Sequence, residues 1–403
     1  MKPRPMLFLG LALVALVQLC LIRREGWNGA WQRWHVPARA PHFSDLRAIT
    51  GALDSVERGF DPREKNPGAP FGQRFNQTHV WLWLGNLGLR EANSTAIGLV
   101  ILAGYVVGLW WLCSGIDRAT AILLVPVLLS PAALLAIERG TTDLSVFLLL
   151  AFAVHVARRS MPVAMVGVGA AFVLKLFPLA GVLLALREPR RRALWLGLTV
   201  LGLAAVFCAL NFRELVDIAF KTEKGQTISY GWAILSLYLG RHLHFDPDLA
   251  LDVRWACGAF AAIGLVVAAW RGLATRDETP PTRALDFFRV GAAVYAGTFA
   301  LGASWDYRLI FCAFAVPQLA AWARDGDASF RRPARLTLAA LLIAAWTLAA
   351  VDWFGANAAG AVVARTLEEF SKWSLFFGCV YFLARTLPAW LKPASPARAR
   401  ATP

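Results

Sequence analysis

Apolar runs recur along almost the whole length of this chain, and that pattern constrains its fold more than any other feature. A helix needs about 20 mainly apolar residues to cross ~30 Å of hydrocarbon. Runs near that length occupy residues 6–22, 95–116, 119–137, 144–157, 162–186, 193–211, 251–270, 287–303, 309–323, 336–353 and 371–389. Composition agrees: 58% of residues are hydrophobic and 17% charged, against roughly 25% charged in soluble chains. Mean hydropathy is +0.52. Such a chain is neither disordered nor fibrous, and an ordinary soluble enzyme is a poor fit. The expected fold class is all-α, a polytopic membrane protein forming a single domain over residues 1–403.

Charge sets the expected path. Lys and Arg number 41 against 26 Asp and Glu, a net +15, and basic residues gather in short cytoplasmic loops. The first run begins after Lys2 and Arg4 and ends at Arg23-Arg24-Glu25 with no small-x-small cleavage site, so it reads as an uncleaved helix. With the N-terminus inside, Arg118 and then Arg158-Arg159 fall inside. Segment 162–186 has arginines on both flanks, Arg158-Arg159 before it and Arg187, Arg190, Arg191 and Arg192 after it. Its middle carries Lys175 and Pro178, a costly charge and a helix breaker. A re-entrant helical pair there keeps every later loop of the right sign: Arg271, Arg276 and Arg283 inside, then Arg324, Arg331, Arg332 and Arg335, then Lys392, Arg398 and Arg400 in a basic cytoplasmic tail, 391–403. The expectation is about ten full spans plus one re-entrant pair, both termini cytoplasmic. The +15 is thus an orientation signal, and no nucleic-acid surface is expected.

On this path the outside face receives 23–94, 138–143, 212–250, 304–308 and 354–370. The first and third are long for loops. Segment 23–94 holds Trp27, Trp31, Trp34, Phe43, Phe60, Phe71 and Phe75, so it is expected to fold, as a first extracytoplasmic loop with helices at the membrane surface. The six cysteines all fall in apolar runs without a C-x-x-C and read as small buried side chains. His242, His244, Asp246 and Asp248 alternate on one face if extended; a solvated loop is the preferred reading, and no metal is expected. Gly167-x-Gly169 leads to Lys175 without the Gly-Lys-Ser/Thr of a phosphate loop, so no nucleotide cofactor is expected.

Ionisable residues instead mark the outside face. Ser44-Asp45-Leu46-Arg47 and Gly59-Phe60-Asp61-Pro62 lie in the first loop, Glu138-Arg139-Gly140-Thr141-Thr142-Asp143 between two spans, and Asp306-Tyr307-Arg308 between two more. Charges held so near hydrocarbon are paired or functional. Taken singly, each also reads as an interfacial anchor or cap, as Asp143 does at the start of the 144–157 helix. Together they are the parts for moving a sugar from a lipid-phosphate donor: a carboxylate to take an acceptor's hydroxyl proton, and cations to hold the phosphate.

Four stretches, in order, resemble the GT-C polytopic membrane glycosyltransferases, and among them glycosyltransferase family 87. They are Ser44-Asp45-Leu46-Arg47 with Gly59-x-Asp61-Pro62, Glu138-Arg139-Gly140-x-x-Asp143-Leu144, Val173-Leu174-Lys175-Leu176-Phe177-Pro178, and Asp306-Tyr307-Arg308-Leu309-Ile310-Phe311. The resemblance implies a GT-C-like fold, a polyprenyl-phosphate-linked sugar donor used outside a bacterial inner membrane, and inversion at the anomeric carbon. It also implies a general base in the first outside loop, where Asp45 stands, and a structural Asp61 closing the turn before Pro62. Arg308 and Arg139 are the expected phosphate ligands, with Lys175 either a third or paired to a carboxylate such as Glu138. Glu138, Asp306, Tyr307 and Asp61 complete the expected substrate-binding set. The partners implied are the bilayer, a lipid-linked hexose (mannose-like) and an envelope glycan or glycolipid acceptor. The chain departs from the pattern at Arg63, where relatives have Tyr, at Gln77-Thr78 and at Thr141, which leaves sugar and acceptor open. Two other classes stay in view: a transporter or flippase of lipid-linked sugars, and a non-catalytic partner of a glycan-assembly complex. A transporter generally needs ionisable groups near mid-membrane, and Lys175 is read as almost alone there.

Overall fold

The structure, a computed structural model, describes residues 3–222, 227–242, 246–275, 280–355 and 357–392. Fifteen α-helices occur among them, in the order α1 (Pro3–Gln32), α2 (Ser44–Glu57), α3 (Ser94–Leu112), α4 (Arg118–Leu128), α5 (Pro131–Arg139), α6 (Asp143–Val156), α7 (Met161–Leu174), α8 (Arg190–Leu210), α9 (Phe212–Lys221), α10 (Ile234–His242), α11 (Pro247–Leu273), α12 (Arg283–Ala300), α13 (Val316–Asp325), α14 (Ala328–Phe354) and α15 (Ala358–Arg385). Tight 3₁₀ segments at His79–Leu87, Phe177–Arg187 and Asp306–Ala315 interrupt them. The described strands are two dipeptides, β1 (Ser229–Tyr230) and β2 (Ser304–Trp305), paired antiparallel with Ser229 opposite Trp305. The all-α expectation holds. Arg276, His244, Arg398 and Arg400 lie outside the described residues, as does the side chain of His242.

By length and composition, five helical stretches can cross a membrane: α1, Glu91–Leu112, α8, α11 and α14. The pair α4 and α5, bent by 60°, makes a sixth. Helices α6 and α7 have 14 residues each and the Phe177–Arg187 segment has 11, short of a span at about 1.5 Å per residue. The run 119–137, read as one span, is two helices. Pro131 cannot donate to the preceding turn, and Ser130 Oγ accepts the Ala133 amide at 3.2 Å to start a new helix. Segment 162–186 breaks where Lys175 and Pro178 are expected to break it. Lys175 is extended (φ −151°, ψ 139°), and Phe177–Arg187 packs back on α7.

The core lies among α3, α6, α12, α14, α15 and the Asp306–Ala315 segment. Phe147 on α6 anchors it, 4.3 Å from the ring of Phe314 and 5.0 Å from that of Tyr105. Cys20 departs from the buried reading of the cysteines: it is exposed on α1, whereas Cys113, Cys312 and Cys379 are buried.

The first long connection is folded, as its aromatic residues suggest. Helix α2 is amphipathic and buries Leu46, Ile49, Ala52 and Leu53. Its start is set by two glycines. Phe43 sits in the left-handed region (φ 59°) with its ring against Gly98 and Gly140. A Cβ on Gly140 would stand 2.8 Å from Phe43 Cβ, and Gly140 itself has φ +60°, so no larger residue fits the end of α5. The Phe43 amide also donates to Glu138 O at 3.2 Å. The first turn of α2, with Asp45, is thereby fixed beside Glu138-Arg139-Gly140.

Candidate active site

The site is built around a residue outside the expected set, Asp143 at the first turn of α6. It is fully buried. Its Oδ2 accepts Lys175 Nζ at 2.7 Å and Thr141 Oγ1 at 2.8 Å. Its Oδ1 lies 3.7 Å from Arg308 Nε and has no hydrogen-bond partner among the described residues. Lys175 therefore pairs with Asp143, not Glu138 as the sequence suggested. The broken helix end at Lys175 and the start of α6 face each other, while Glu138 ends α5 on the far side of Gly140. The only sequence signal for Asp143 is its place between Glu138-Arg139-Gly140 and an apolar run, which reads equally well as a cap.

Arg308 completes this group. One guanidinium nitrogen donates to Ser304 Oγ at 2.9 Å, and the group lies over the Phe177 ring at 4.8 Å. Two cations thus share one carboxylate, and Arg308 Nε has no hydrogen-bond partner among the described residues. Tyr307 lies alongside, stacked on Trp305 with ring centroids 6.3 Å apart and Lys175 Nζ 5.9 Å from its own.

Lys175, Tyr307 and Arg308 line a cavity of about 350 Å³. Leu176, Phe177, Leu301 and Trp305 form further wall, Gln77 and Thr78 come from the first connection, and Leu215, Ile218 and Ala219 come from α9. Thr78 is held there by donating to Val173 O at 2.9 Å. Helix α9 is pinned by Glu214, which accepts from Arg63 at 2.7 Å and from the His79 amide at 2.6 Å. Arg63 is one of the departures from the family pattern, and here it serves this clamp. A larger hollow, about 580 Å³, is lined by Trp270, Arg271, Ala274, Pro333 and Tyr381 and by none of the expected site residues.

The remaining expected residues do not line the cavity. Asp45 is half-buried, and no hydrogen bond or ion pair to its carboxylate occurs among the described residues. Burial holds this carboxyl above the usual carboxylate range; Arg139, Lys175 and Arg39 oppose the shift and Asp143 adds to it. Glu138 is fully buried and accepts Trp27 Nε1 at 3.0 Å and the Arg39 amide at 2.8 Å. Arg139 pairs with Glu138 at 3.1 Å and donates to Ser44 Oγ at 3.1 Å. Asp61 is exposed, and its Oδ1 accepts the Arg63 amide at 2.9 Å, closing the turn through Pro62.

Asp306 faces the other way. Its Oδ1 accepts Lys372 Nζ at 2.7 Å, and Lys372 also donates to Glu368 Oε1 at 2.5 Å and to Ser229 O at 3.0 Å. Asp286 with Arg187, and Arg289 bonded to Thr386 O at 2.5 Å, are further buried charges. Lys175 is therefore one of several buried charges among the helices. No three His, Cys, Asp or Glu side chains gather among the described residues as a metal-holding set. Asp246 instead accepts the Asp248 amide at 2.8 Å and caps α11.

The pattern of glycosyltransferase family 87 matches residues 88–304, more than half of the chain. The chain belongs to glycosyltransferase family 87. This is a family of GT-C-type membrane glycosyltransferases, and its apolar helices fit a multi-pass membrane protein. The matched region includes Glu138, Arg139, Asp143 and Lys175; Asp45, Asp61 and Asp306-Tyr307-Arg308 lie outside it. Neither a curated protein nor a solved structure matches the chain.

Proposed function

We propose that this family 87 enzyme moves a hexose, mannose-like, from a polyprenyl-phosphate donor to an envelope glycan or glycolipid acceptor on the extracytoplasmic face of the membrane. The observation that carries the reading is the cavity on which Lys175 and Arg308 converge, two cations held by one carboxylate, with otherwise largely apolar walls. Surplus positive charge in a low-dielectric pocket suits a phosphate that remains attached to a lipid. In the reaction the acceptor oxygen attacks the anomeric carbon and the bond from that carbon to the phosphate oxygen breaks. The acceptor proton passes to Asp45, and the charge of the departing polyprenyl phosphate is held by Arg308 and Lys175. A single displacement of this kind inverts the anomeric centre. Asp45 suits the base because it is spoken for by no partner and burial raises its affinity for a proton above that of an ordinary aspartate. Arg139 orders the Ser44–Asp45 turn, and Tyr307 offers an aromatic wall.

The test compares envelope glycans and glycolipids from a strain lacking the protein with those from a strain carrying Asp45→Asn. The same sugar missing from both, with the variant present at parental level in the membrane, supports the assignment. A complete glycan profile in the Asp45→Asn strain, beside a defective deletion strain, overturns Asp45 as base.

A further inference from the structure

Helix α9 is amphipathic in a way that the cavity alone does not explain. At roughly 100° per residue its side chains fall into three sectors. Glu214, Asp217 and Lys221 form the polar sector; Glu214 binds Arg63 and His79, and Lys221 binds Glu64. Leu215, Ile218 and Ala219 form the second and line the cavity. Phe212, Val216 and Phe220 form the third, spaced i, i+4, i+8. They touch no core: Phe220 is 86% and Phe212 65% exposed, and no residue of α9 is buried. The preceding helix, α8, is one of the spanning helices, and its apolar side chains are exposed up to Leu210. The chain turns at Asn211, so α9 begins where α8 ends. The cavity's own rim continues the pattern. Leu301, which lines it, is 76% exposed, and Leu176 is also exposed.

We infer that α9 lies on the bilayer surface, with Phe212, Val216 and Phe220 in lipid, and that the cavity opens sideways into the bilayer between α9 and Leu301. A greasy stripe continuous with a lipid-facing helix has the bilayer as its occupant. Arg213, exposed at the edge of the stripe, reaches the headgroup phosphates. The opening would admit a single isoprenoid or acyl chain whose phosphate then meets Lys175 and Arg308. This last step rests on the proposed glycosyl transfer; the seating of α9 in lipid does not.

The experiment places a benzophenone amino acid at position 220, 301 or 217 of the full-length protein in native membranes, followed by irradiation and mass analysis. Adducts of lipid mass at 220 and 301, absent at 217, are expected. Adducts to a second copy of the chain, or equal lipid labelling at 217, overturn the inference. A second arm measures transfer by Leu301→Lys. The ratio of kcat/KM for a long-chain donor to that for a short water-soluble analogue is expected to fall about tenfold. An unchanged ratio overturns the side opening. If the parent chain transfers no sugar while lipid adducts still form, the transfer reading fails and the seating of α9 stands.

Discussion

Two clusters of buried charge flank the turn that carries Asp306, Tyr307 and Arg308, and they are near mirror images. In one, Asp143 is shared by two cations, Lys175 and Arg308. In the other, Lys372 is shared by two carboxylates, Asp306 and Glu368. The first borders a cavity, which Lys175 and Arg308 both line. The second is closed: Lys372 is 1% exposed with all three donors used, and Arg365 caps Glu368 at 2.8 Å. Buried charge in a helical bundle is therefore not itself a mark of function. What sets the first cluster apart is an excess of positive charge beside a cavity. The closed cluster ties α15 to β1 and to the turn at Asp306, and so holds Tyr307 and Arg308 at the cavity. Such ion sets repay their desolvation only while every member is present.

That contrast can be broken in several places. Asp45→Asn is expected to lower turnover by about 10²–10⁴-fold, the usual worth of a general base, at an unchanged unfolding temperature. A parental rate in reconstituted vesicles would remove Asp45 from the reaction. Lys372→Met should act oppositely, costing about 3–5 kcal/mol of stability by leaving two carboxylates facing each other. Adding Asp306→Asn and Glu368→Gln should recover most of it in thermal unfolding; no recovery would mean that the closed cluster is not held by charge. Arg308→Met should raise KM for the phosphate-linked donor, with a loss of about 1.5–3 kcal/mol in kcat/KM and a smaller change in stability. A loss confined to stability would move Arg308 into the structural cluster. Glu214→Gln, at a half-buried pair, should cost about 1 kcal/mol or less, seen as faster amide exchange in α9 alone.

The pH profile separates activity from stability at Asp45. Its carboxyl is raised above the usual range by burial, so turnover should fall on the acid side with a midpoint above that of an ordinary aspartate. Stability runs the other way. The folded chain holds this proton more tightly than the unfolded chain, so the group favours folding at pH below the ordinary aspartate value. That contribution is lost as pH rises through the raised one. Asp45→Asn should abolish both trends; if the acid limb of the profile persists in a residually active variant, another group sets it.

Much of the site was legible as residue types on one side of the chain. Arg308 and Lys175 stand out because charge beside apolar runs is costly, Tyr307 because it lies in the same motif as Arg308, and all three line one cavity. Asp143 reads as a helix cap, since nothing in sequence separates a cap from a hub that binds cations 32 and 165 residues away. Lys372 and Glu368 carry no sequence signal for a related reason. They stand at the edge of an apolar run, where a solvated anchor and a buried pin have the same local sequence. Glu214 clamps a loop more than a hundred residues earlier, a distance that no spacing rule reaches.

The sequence by itself determined the solvent of this protein, its helical class and the family to which it belongs. These follow from summed transfer free energy and from short motifs in order, both local properties of the chain. The tertiary structure decided which carboxylate pairs with which cation, where an apolar run bends, and which charges border a cavity. Coulomb and desolvation energies depend on distances between segments far apart in sequence, and those distances exist only once the helices have packed.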